Sequence, residues 1–142
     1  KFTFRSSLGT SVVYNWKITN GSSSFYEIQD CMKEFREVRP YFYEDYYPLT
    51  GSGDITGDNI WMAYQLYRPS DKSGFVVAFR REACPDKTHT VKLSGLDPDA
   101  VYSVTNKDTG ETVSKSGREL AEGFVLTLDQ PRSSLLLKYQ AE

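Results

Sequence analysis

The chain alternates apolar and polar residues with a period of two from Ile60 onward, and this pattern constrains the fold more than any other feature. Seven segments carry it: IWMAYQLY, GFVVAFRR, HTVKL, AVYSVTN, ETVSK, FVLTL and SLLLKY. Turn residues separate several of them, at residues 69–74, 95–98 and 108–110. Short strands at this spacing predict a mainly β fold, an antiparallel β-sandwich of about seven to eight strands.

Three of the predicted strands are expected to supply the core of the sandwich, because alternate residues of a strand point to one face. The three inward rows are Phe75, Val77 and Phe79; Phe124, Leu126 and Leu128; and Leu135, Leu137 and Tyr139. The stretch NKDTGE predicts a tight hairpin, since its glycine tolerates a positive φ angle. The polar stretch SGRELAEG, residues 116–123, predicts a single helical turn.

The first fifty residues predict two short strands and then a helix. KFTFRSS and SVVYNWKI are rich in β-branched and aromatic residues, which is typical of strands. Ser24 followed by Glu27 matches a capping box, so the helix is expected to begin at Ser24. Arg39 precedes Pro40, which disfavours helical geometry and predicts the end of the helix. The apolar stripe of this helix comprises Phe25, Ile28, Met32 and Phe35, with Cys31 and Val38 at its edge.

The change of period predicts a division of the chain into residues 1–50, a glycine-rich linker at 51–59, and a sandwich at 60–142. One helix with two short strands cannot enclose its own apolar stripe. We therefore expect the helix to pack on the sandwich or on a surface outside this chain, which makes self-association a prediction.

Charge and hydropathy narrow the classes of partner. The chain has 17 Lys and Arg against 19 Asp and Glu, a net charge of -2, and no basic stripe, which argues against nucleic acid. No apolar run approaches the roughly 20 residues that span a bilayer, so a soluble protein without a membrane partner is expected. The composition does not specify a cellular compartment.

Candidates for catalysis and for metal or cofactor binding are few. His89 is the single histidine, and no second imidazole or cysteine pair stands at ligand spacing, so we expect no metal and no cofactor. Acidic pairs occur at Glu44–Asp45 and at Asp54 with Asp58. Glycoside hydrolysis needs two carboxylates held roughly 5 to 9 Å apart on a rigid scaffold, whereas Asp54 and Asp58 lie in a glycine-rich loop. A turn-capping or loosely calcium-binding role is therefore favoured for these two residues, and no catalytic residue is predicted.

The stretch VRPYFYEDYYPLT concentrates five aromatic rings within seven residues. Aromatic rings stack on the apolar faces of sugars, so Tyr43, Tyr46, Tyr47 and Trp61 are candidates for carbohydrate binding. Rings between the end of a helix and a glycine-rich linker also suit packing at a junction, where apolar bodies are buried and hydroxyl groups reach water or backbone. The residues alone favour packing and leave carbohydrate binding as the alternative.

Three longer stretches together resemble a known family. RPYFYEDYYPLT, WMAYQLYRPSDKSGFVVAFRRE and LSGLDPDAVYSVTNKDTGETVSKSGRELAEGFVLTLDQPRSSLLLKY are similar to the carboxy-terminal part of family 36 glycoside hydrolases of the α-galactosidase type. That family has a (β/α)8 catalytic barrel followed by an antiparallel β-sandwich, and it hydrolyses glycosides with retention through two aspartates.

The resemblance implies a place for each segment. RSSLG and VVYNW would belong to the end of the barrel, and the helix from Ser24 to Arg39 would be its last outer helix. The tyrosine-rich segment would lead from the barrel to a sandwich that begins near Ile60. The two catalytic aspartates of the family lie on earlier barrel strands, so none is assigned here. The implied function is a non-catalytic accessory domain whose partner is the catalytic barrel of the same polypeptide.

Overall fold

A computed structural model describes residues 1–13, 24–51 and 56–142 of the chain, apart from the side chain of Ser24. Three α-helices are present in these ranges: α1 (Phe2–Ser6), α2 (Ser24–Val38) and α3 (Gly117–Glu122). A 3-10 helix, Arg39–Tyr43, follows α2 directly. None of the helices in the described ranges has the length and apolar character needed to cross a membrane.

Eight strands form two antiparallel sheets, which confirms the predicted mainly β sandwich. The strands are β1 (Asp45–Pro48), β2 (Trp61–Arg68), β3 (Ser73–Arg80), β4 (Thr88–Val91), β5 (Val101–Asn106), β6 (Thr112–Ser116), β7 (Phe124–Thr127) and β8 (Ser133–Ala141). The large sheet has the order β1-β2-β3-β8-β5-β6, and the small sheet pairs β4 with β7. All seven predicted strands are therefore present, and β1 is the eighth.

The predicted connections are also confirmed. Gly110 closes the β5–β6 hairpin with a φ of 80°, a left-handed conformation that a residue with a Cβ rarely adopts. The predicted helical turn is α3. Its capping box is complete, because the Ser116 side chain accepts from the backbone N–H of Glu119 while the Glu119 carboxylate accepts from the backbone N–H of Ser116.

The predicted single core is wrong, because the large sheet is buried on both faces. Val76 and Ala78 of β3 join Leu135, Leu137 and Tyr139 of β8 in a core against the small sheet and α3. The neighbouring positions of β3, Phe75, Val77 and Phe79, lie on the other face. There they pack with Leu136 of β8 and with Val38 and Tyr41 from the helical segment. Alternation alone cannot reveal this, since a strand covered on both sides is apolar at every position.

The first predicted strand is also wrong, because residues Phe2–Ser6 form the helix α1. Phe4 and Arg5 are buried there, and Phe4 packs with Cys31 and Phe35 of α2. Packing against α2 thus overrides the strand propensity of a short segment. In the second predicted strand, residues 11–13 are not in a strand, and the rest lies outside the described residues.

Helix α2 begins and ends close to the predicted positions. It runs from Ser24 to Val38, and the 3-10 helix with Pro40 in its first turn follows. The C-terminal half of its stripe, including Phe35 and Val38, is buried, whereas Phe25 at the other end is exposed. Within the described parts of the chain, the helix is therefore covered over only part of its length.

Candidate functional site

The structure distributes the four predicted carbohydrate-binding residues over different surfaces. Tyr43 and Tyr46 are 66% and 57% exposed, Tyr47 is half-buried, and Trp61 is only 5% exposed. Tyr46 and Tyr47 are successive residues of strand β1, so their side chains point to opposite faces of the large sheet. The four rings do not form one platform.

Tyr46 lies on the sheet face that α1 partly covers. Its ring stacks on the ring of Tyr64 with centroids 5.4 Å apart and planes at 27°. Both rings line an open groove of about 440 Å³ together with Phe2, Leu8 and Met62. We call this the α1 groove. The remaining lining residues, mostly aromatic or basic, are Arg5, Ser6, Phe42, Phe79 and Arg81. Its chemistry suits contact with an apolar or aromatic surface.

Tyr47 and Trp61 pack in the core between the two sheets. The Tyr47 hydroxyl approaches Gly95, and burial together with Asp45 raises the pKa of Tyr47. The Trp61 Nε1–H donates a hydrogen bond of 2.8 Å to the backbone carbonyl of Asp86. Burial and a satisfied indole N–H are typical of a structural tryptophan.

The acidic residues that the sequence offered are exposed where the structure describes them. Glu44 and Asp45 lie at the start of β1 and point to solvent, and Asp58 is exposed in the loop before β2. Asp54 lies outside the described residues. His89 is half-buried on β4 and stacks on Trp61 at 5.8 Å. No cluster of three or more metal-ligating side chains occurs within residues 1–13, 24–51 and 56–142.

A buried arginine joins three separate parts of the chain. Arg5 of α1 has a fully buried side chain that binds Glu34 of α2 through two hydrogen bonds of 2.7 and 2.8 Å. The same guanidinium binds Asp108, in the β5–β6 hairpin, through two further hydrogen bonds of 2.8 Å. Such paired, planar contacts are the strongest hydrogen bonds that arginine forms. We call this set the Arg5 clamp.

The oppositely charged groups of the clamp stabilise the ionised forms of one another. Burial disfavours the charged form of Asp108, but the hydrogen bonds and charges of Arg5 and Lys1 hold the pKa of Asp108 below its ordinary value. Burial likewise opposes the charge of Arg5, and Glu34 and Asp108 outweigh it, so the pKa of Arg5 is raised. Sequence reasoning missed the clamp, because Glu34 and Asp108 lie 29 and 103 residues from Arg5 and no local pattern connects them.

A second polar cluster joins the 3-10 helix to the β2–β3 turn. The Tyr41 hydroxyl lies 2.9 Å from the Ser73 hydroxyl, and the Arg68 guanidinium lies 4.3 Å from the centre of the Tyr41 ring. Arg68 also binds Asp71 at 2.6 Å. The hydrogen bonds from Arg68 and then Ser73 lower the pKa of Asp71 to about 2. Only the concentration of tyrosines hints at this cluster in the sequence.

A third cluster joins α2 to the large sheet. Glu37 binds Lys107 and Lys138, each at 3.0 Å. Burial opposes the charge of Glu37, but the two lysines outweigh it and lower its pKa. The three clusters show that the helical segment is fixed to the sandwich by buried or half-buried polar contacts as well as by apolar packing.

Comparison with solved structures identifies what this architecture is similar to. The galactosidase domain of AgaSK, an α-galactosidase–sucrose kinase, matches with a TM-score of 0.67 and 19% identity over 87% of this chain. A variant of the family 36 α-galactosidase AgaA from Geobacillus stearothermophilus, in complex with 1-deoxygalactonojirimycin, matches with a TM-score of 0.66 and 18% identity over 88%. An α-galactosidase from Lactobacillus brevis matches with a TM-score of 0.69 and 16% identity over 91%.

The fold resembles part of family 36 α-galactosidases. This confirms the resemblance seen in the sequence, at the level of the fold. The chain covers only 17%, 17% and 18% of these three proteins, which is consistent with a carboxy-terminal region. No protein-family model and no curated protein matches the sequence.

Proposed function

We propose that this chain is the non-catalytic carboxy-terminal region of a glycoside hydrolase that resembles α-galactosidases, and that it supports the catalytic barrel of the same polypeptide. The similarity of fold over most of this chain, and over about one sixth of each α-galactosidase, supports the proposal. The parent protein would be a retaining glycosidase in carbohydrate metabolism. This chain would carry none of its catalytic residues.

The Arg5 clamp is the observation that favours a supporting role. The clamp ties α1 and α2 to the β5–β6 hairpin, so the helical segment cannot move relative to the sandwich without exposing a buried charge. In the proposed parent protein the helical segment is continuous with the barrel. A sandwich bound rigidly to that segment would hold the end of the barrel in place.

The proposal is tested with this chain and with the longer polypeptide encoded by the same reading frame. We expect no hydrolysis of p-nitrophenyl α-galactoside by residues 1–142. We expect hydrolysis by the longer polypeptide, and a lower melting temperature when residues 60–142 are removed from it. Turnover by the purified short chain, or an unchanged melting temperature after truncation, would contradict the proposal.

Carbohydrate binding remains a second candidate, because Tyr43 and Tyr46 are both exposed. Isothermal titration with galacto-oligosaccharides tests it, using Tyr46→Ala and Tyr43→Ala. Phe25→Ala is a matched control, since Phe25 on α2 is 56% exposed, close to the 57% of Tyr46. Heat that is lost only in the two tyrosine variants would support a binding module, and the absence of heat with every glycan would end this alternative.

Tyr47→Ala and Trp61→Ala are poor probes of binding, because both side chains pack in the core and their removal perturbs folding. Self-association also stays a prediction, and sedimentation equilibrium of the purified chain measures it.

A further inference from the structure

The sandwich has an open slot along strand β7. The small sheet has two strands and the large sheet six, so the described parts of the chain leave part of the inner face of the large sheet uncovered. The slot lies between β7 and the β5–β6 hairpin and has a volume of about 370 Å³. Its apolar floor comprises Val104, Leu135 and Leu137, and Val113 lines the hairpin side. We call this space the β7 slot.

The backbone of β7 presents to the slot hydrogen-bonding groups that have no backbone partner among the described residues. Leu128 donates its backbone N–H to the carbonyl of Lys87, which fixes the phase of the β4–β7 ladder. Hydrogen-bonded and non-hydrogen-bonded residue pairs alternate along an antiparallel ladder. Leu126, two residues before Leu128, therefore also points its N–H and C=O toward β4. Val125 and Thr127 therefore point theirs away from β4, along the edge that lines the slot.

The β7 edge lacks the features that protect the two edges of the large sheet. Strand β1, at one edge of the large sheet, contains Asp45 and ends in Pro48, and strand β6, at the other edge, carries Lys115. Charged residues and prolines at such positions prevent the addition of a further strand. Strand β7 reads Phe-Val-Leu-Thr, with no charge and no proline, and Val125 is 56% exposed.

The charge of the slot specifies the kind of strand that would fit. Glu111 and Asp129 line it, and no lysine or arginine does. Neither carboxylate forms an ion pair within the described parts of the chain; Glu111 accepts a hydrogen bond only from Thr109. An apolar floor beside two unpaired carboxylates is complementary to an extended segment in which apolar and basic residues alternate.

We propose that the β7 slot binds an extended segment of another polypeptide, with alternating small apolar and basic residues, as an added third strand of the small sheet. Backbone hydrogen bonds to Val125 and Thr127 would provide the affinity. Apolar side chains of the segment would cover Val113 and the slot floor. Its basic side chains would reach Glu111 and Asp129, which would set the specificity.

The experiment uses a fluorescent acetyl-KVKVKV-amide peptide and the 142-residue chain. Fluorescence anisotropy should show binding of this peptide that weakens with rising ionic strength, as expected for surface charge pairs. The acidic peptide acetyl-EVEVEV-amide should bind at least about tenfold more weakly, since like charges at an interface oppose association.

Two sets of variants separate the backbone contribution from the charge contribution. Val125→Pro removes an N–H that β4 does not use, and it should weaken binding of KVKVKV about tenfold, the value of one good backbone hydrogen bond. Val125→Thr keeps the N–H and the branched shape, and it should bind as the parent chain does. Glu111→Gln combined with Asp129→Asn should weaken binding and abolish the preference for the basic peptide.

The proposal is overturned if both peptides bind equally, or if a folded Val125→Pro variant binds KVKVKV as the parent does. Circular dichroism verifies folding. If the proline variant does not fold, the charge variant alone decides, and an unchanged preference for the basic peptide overturns the proposal. Formation of a chain dimer that excludes the peptide would show that a second copy fills the slot, which also overturns it.

Discussion

Replacing Arg5 by methionine should destabilise the fold more than any substitution of an exposed charge. Methionine keeps the length of the side chain but removes the guanidinium. Glu34 and Asp108 are then left without the partner that binds each of them through two hydrogen bonds. Lys1 lies 3.2 Å from Asp108 and 4.0 Å from Glu34, but it is half exposed and offers a single ammonium group.

The expected loss in the free energy of unfolding follows from the burial of the ion pair. The Arg5 side chain is fully buried, and that of Glu34 nearly so. Removing one partner of a buried ion pair costs about 3–5 kcal/mol, because the remaining charge is buried without compensation. For a domain of this size each kcal/mol lowers the melting temperature by roughly 3 °C, so we expect a decrease of roughly 10–15 °C.

Arg118→Met is the matched control. Arg118 binds Asp99 at 3.2 Å, with both side chains largely exposed to water. Exposed pairs contribute less than about 1 kcal/mol, so the melting temperature should change by no more than about 3 °C. Both variants are measured by thermal and urea unfolding followed by circular dichroism. Equal losses in the two variants would refute the argument that burial of the clamp decides its contribution.

The pH dependence of the same variants gives an independent check. The folded pKa of Asp108 is lowered, so its contribution to stability is present above the unfolded pKa of about 3.9 and is lost as the pH falls through the folded value. The difference in unfolding free energy between the parent chain and Arg5→Met should therefore be constant near neutral pH and should shrink below about pH 4. A difference that widens on acidification would contradict the assigned charge pairing.

Three further predictions concern the sheet and its turns. The carboxyl group of Asp71 should titrate at about 2 by NMR, and higher in Arg68→Met, in which the Ser73 hydrogen bond remains; a parent midpoint near 4 would contradict the assigned hydrogen bonds. Gly74→Ala should unfold the chain, because a Cβ there would collide with backbone and tyrosine atoms. At Gly51 no atom of the described residues beyond its chain neighbours lies within 4 Å of a Cβ, so Gly51→Ala should leave the melting temperature unchanged. Ser116→Ala removes the cap of α3 and should cost about 1 kcal/mol in urea unfolding, with an unchanged midpoint excluding the capping role.

The sequence predicted those parts of the fold whose signals are local. Each of the seven strands from residue 60 onward combines apolar alternation with flanking turn residues, so its position is fixed by neighbours in the chain. Helix α2 was placed to within one residue at its end, because Arg39 before Pro40 is also a local signal. Residues 2–6 lack such a local signal. These five residues form the helix α1 because they pack against α2.

The candidate site was less predictable, because its side-chain contacts join strands and helices that are distant in sequence. The tyrosine-rich segment was recognised, but its split into a 3-10 helix and an edge strand was not. That split sends Tyr46 and Tyr47 to opposite faces of the large sheet, so these two rings cannot lie on one platform. Tyr41 is buried and Tyr47 is half-buried, as packing at a junction requires.

The chain by itself determined its class of fold, the positions of its strands along the sequence and its likeness to a family, since all three depend on residue type at short spacing. Only the tertiary structure decided that the large sheet is covered on both faces, that Arg5 joins Glu34 to Asp108, and that β7 has a free edge. These features depend on which strands become neighbours. That choice depends on how apolar area is buried across the whole chain, and no short window of sequence contains it.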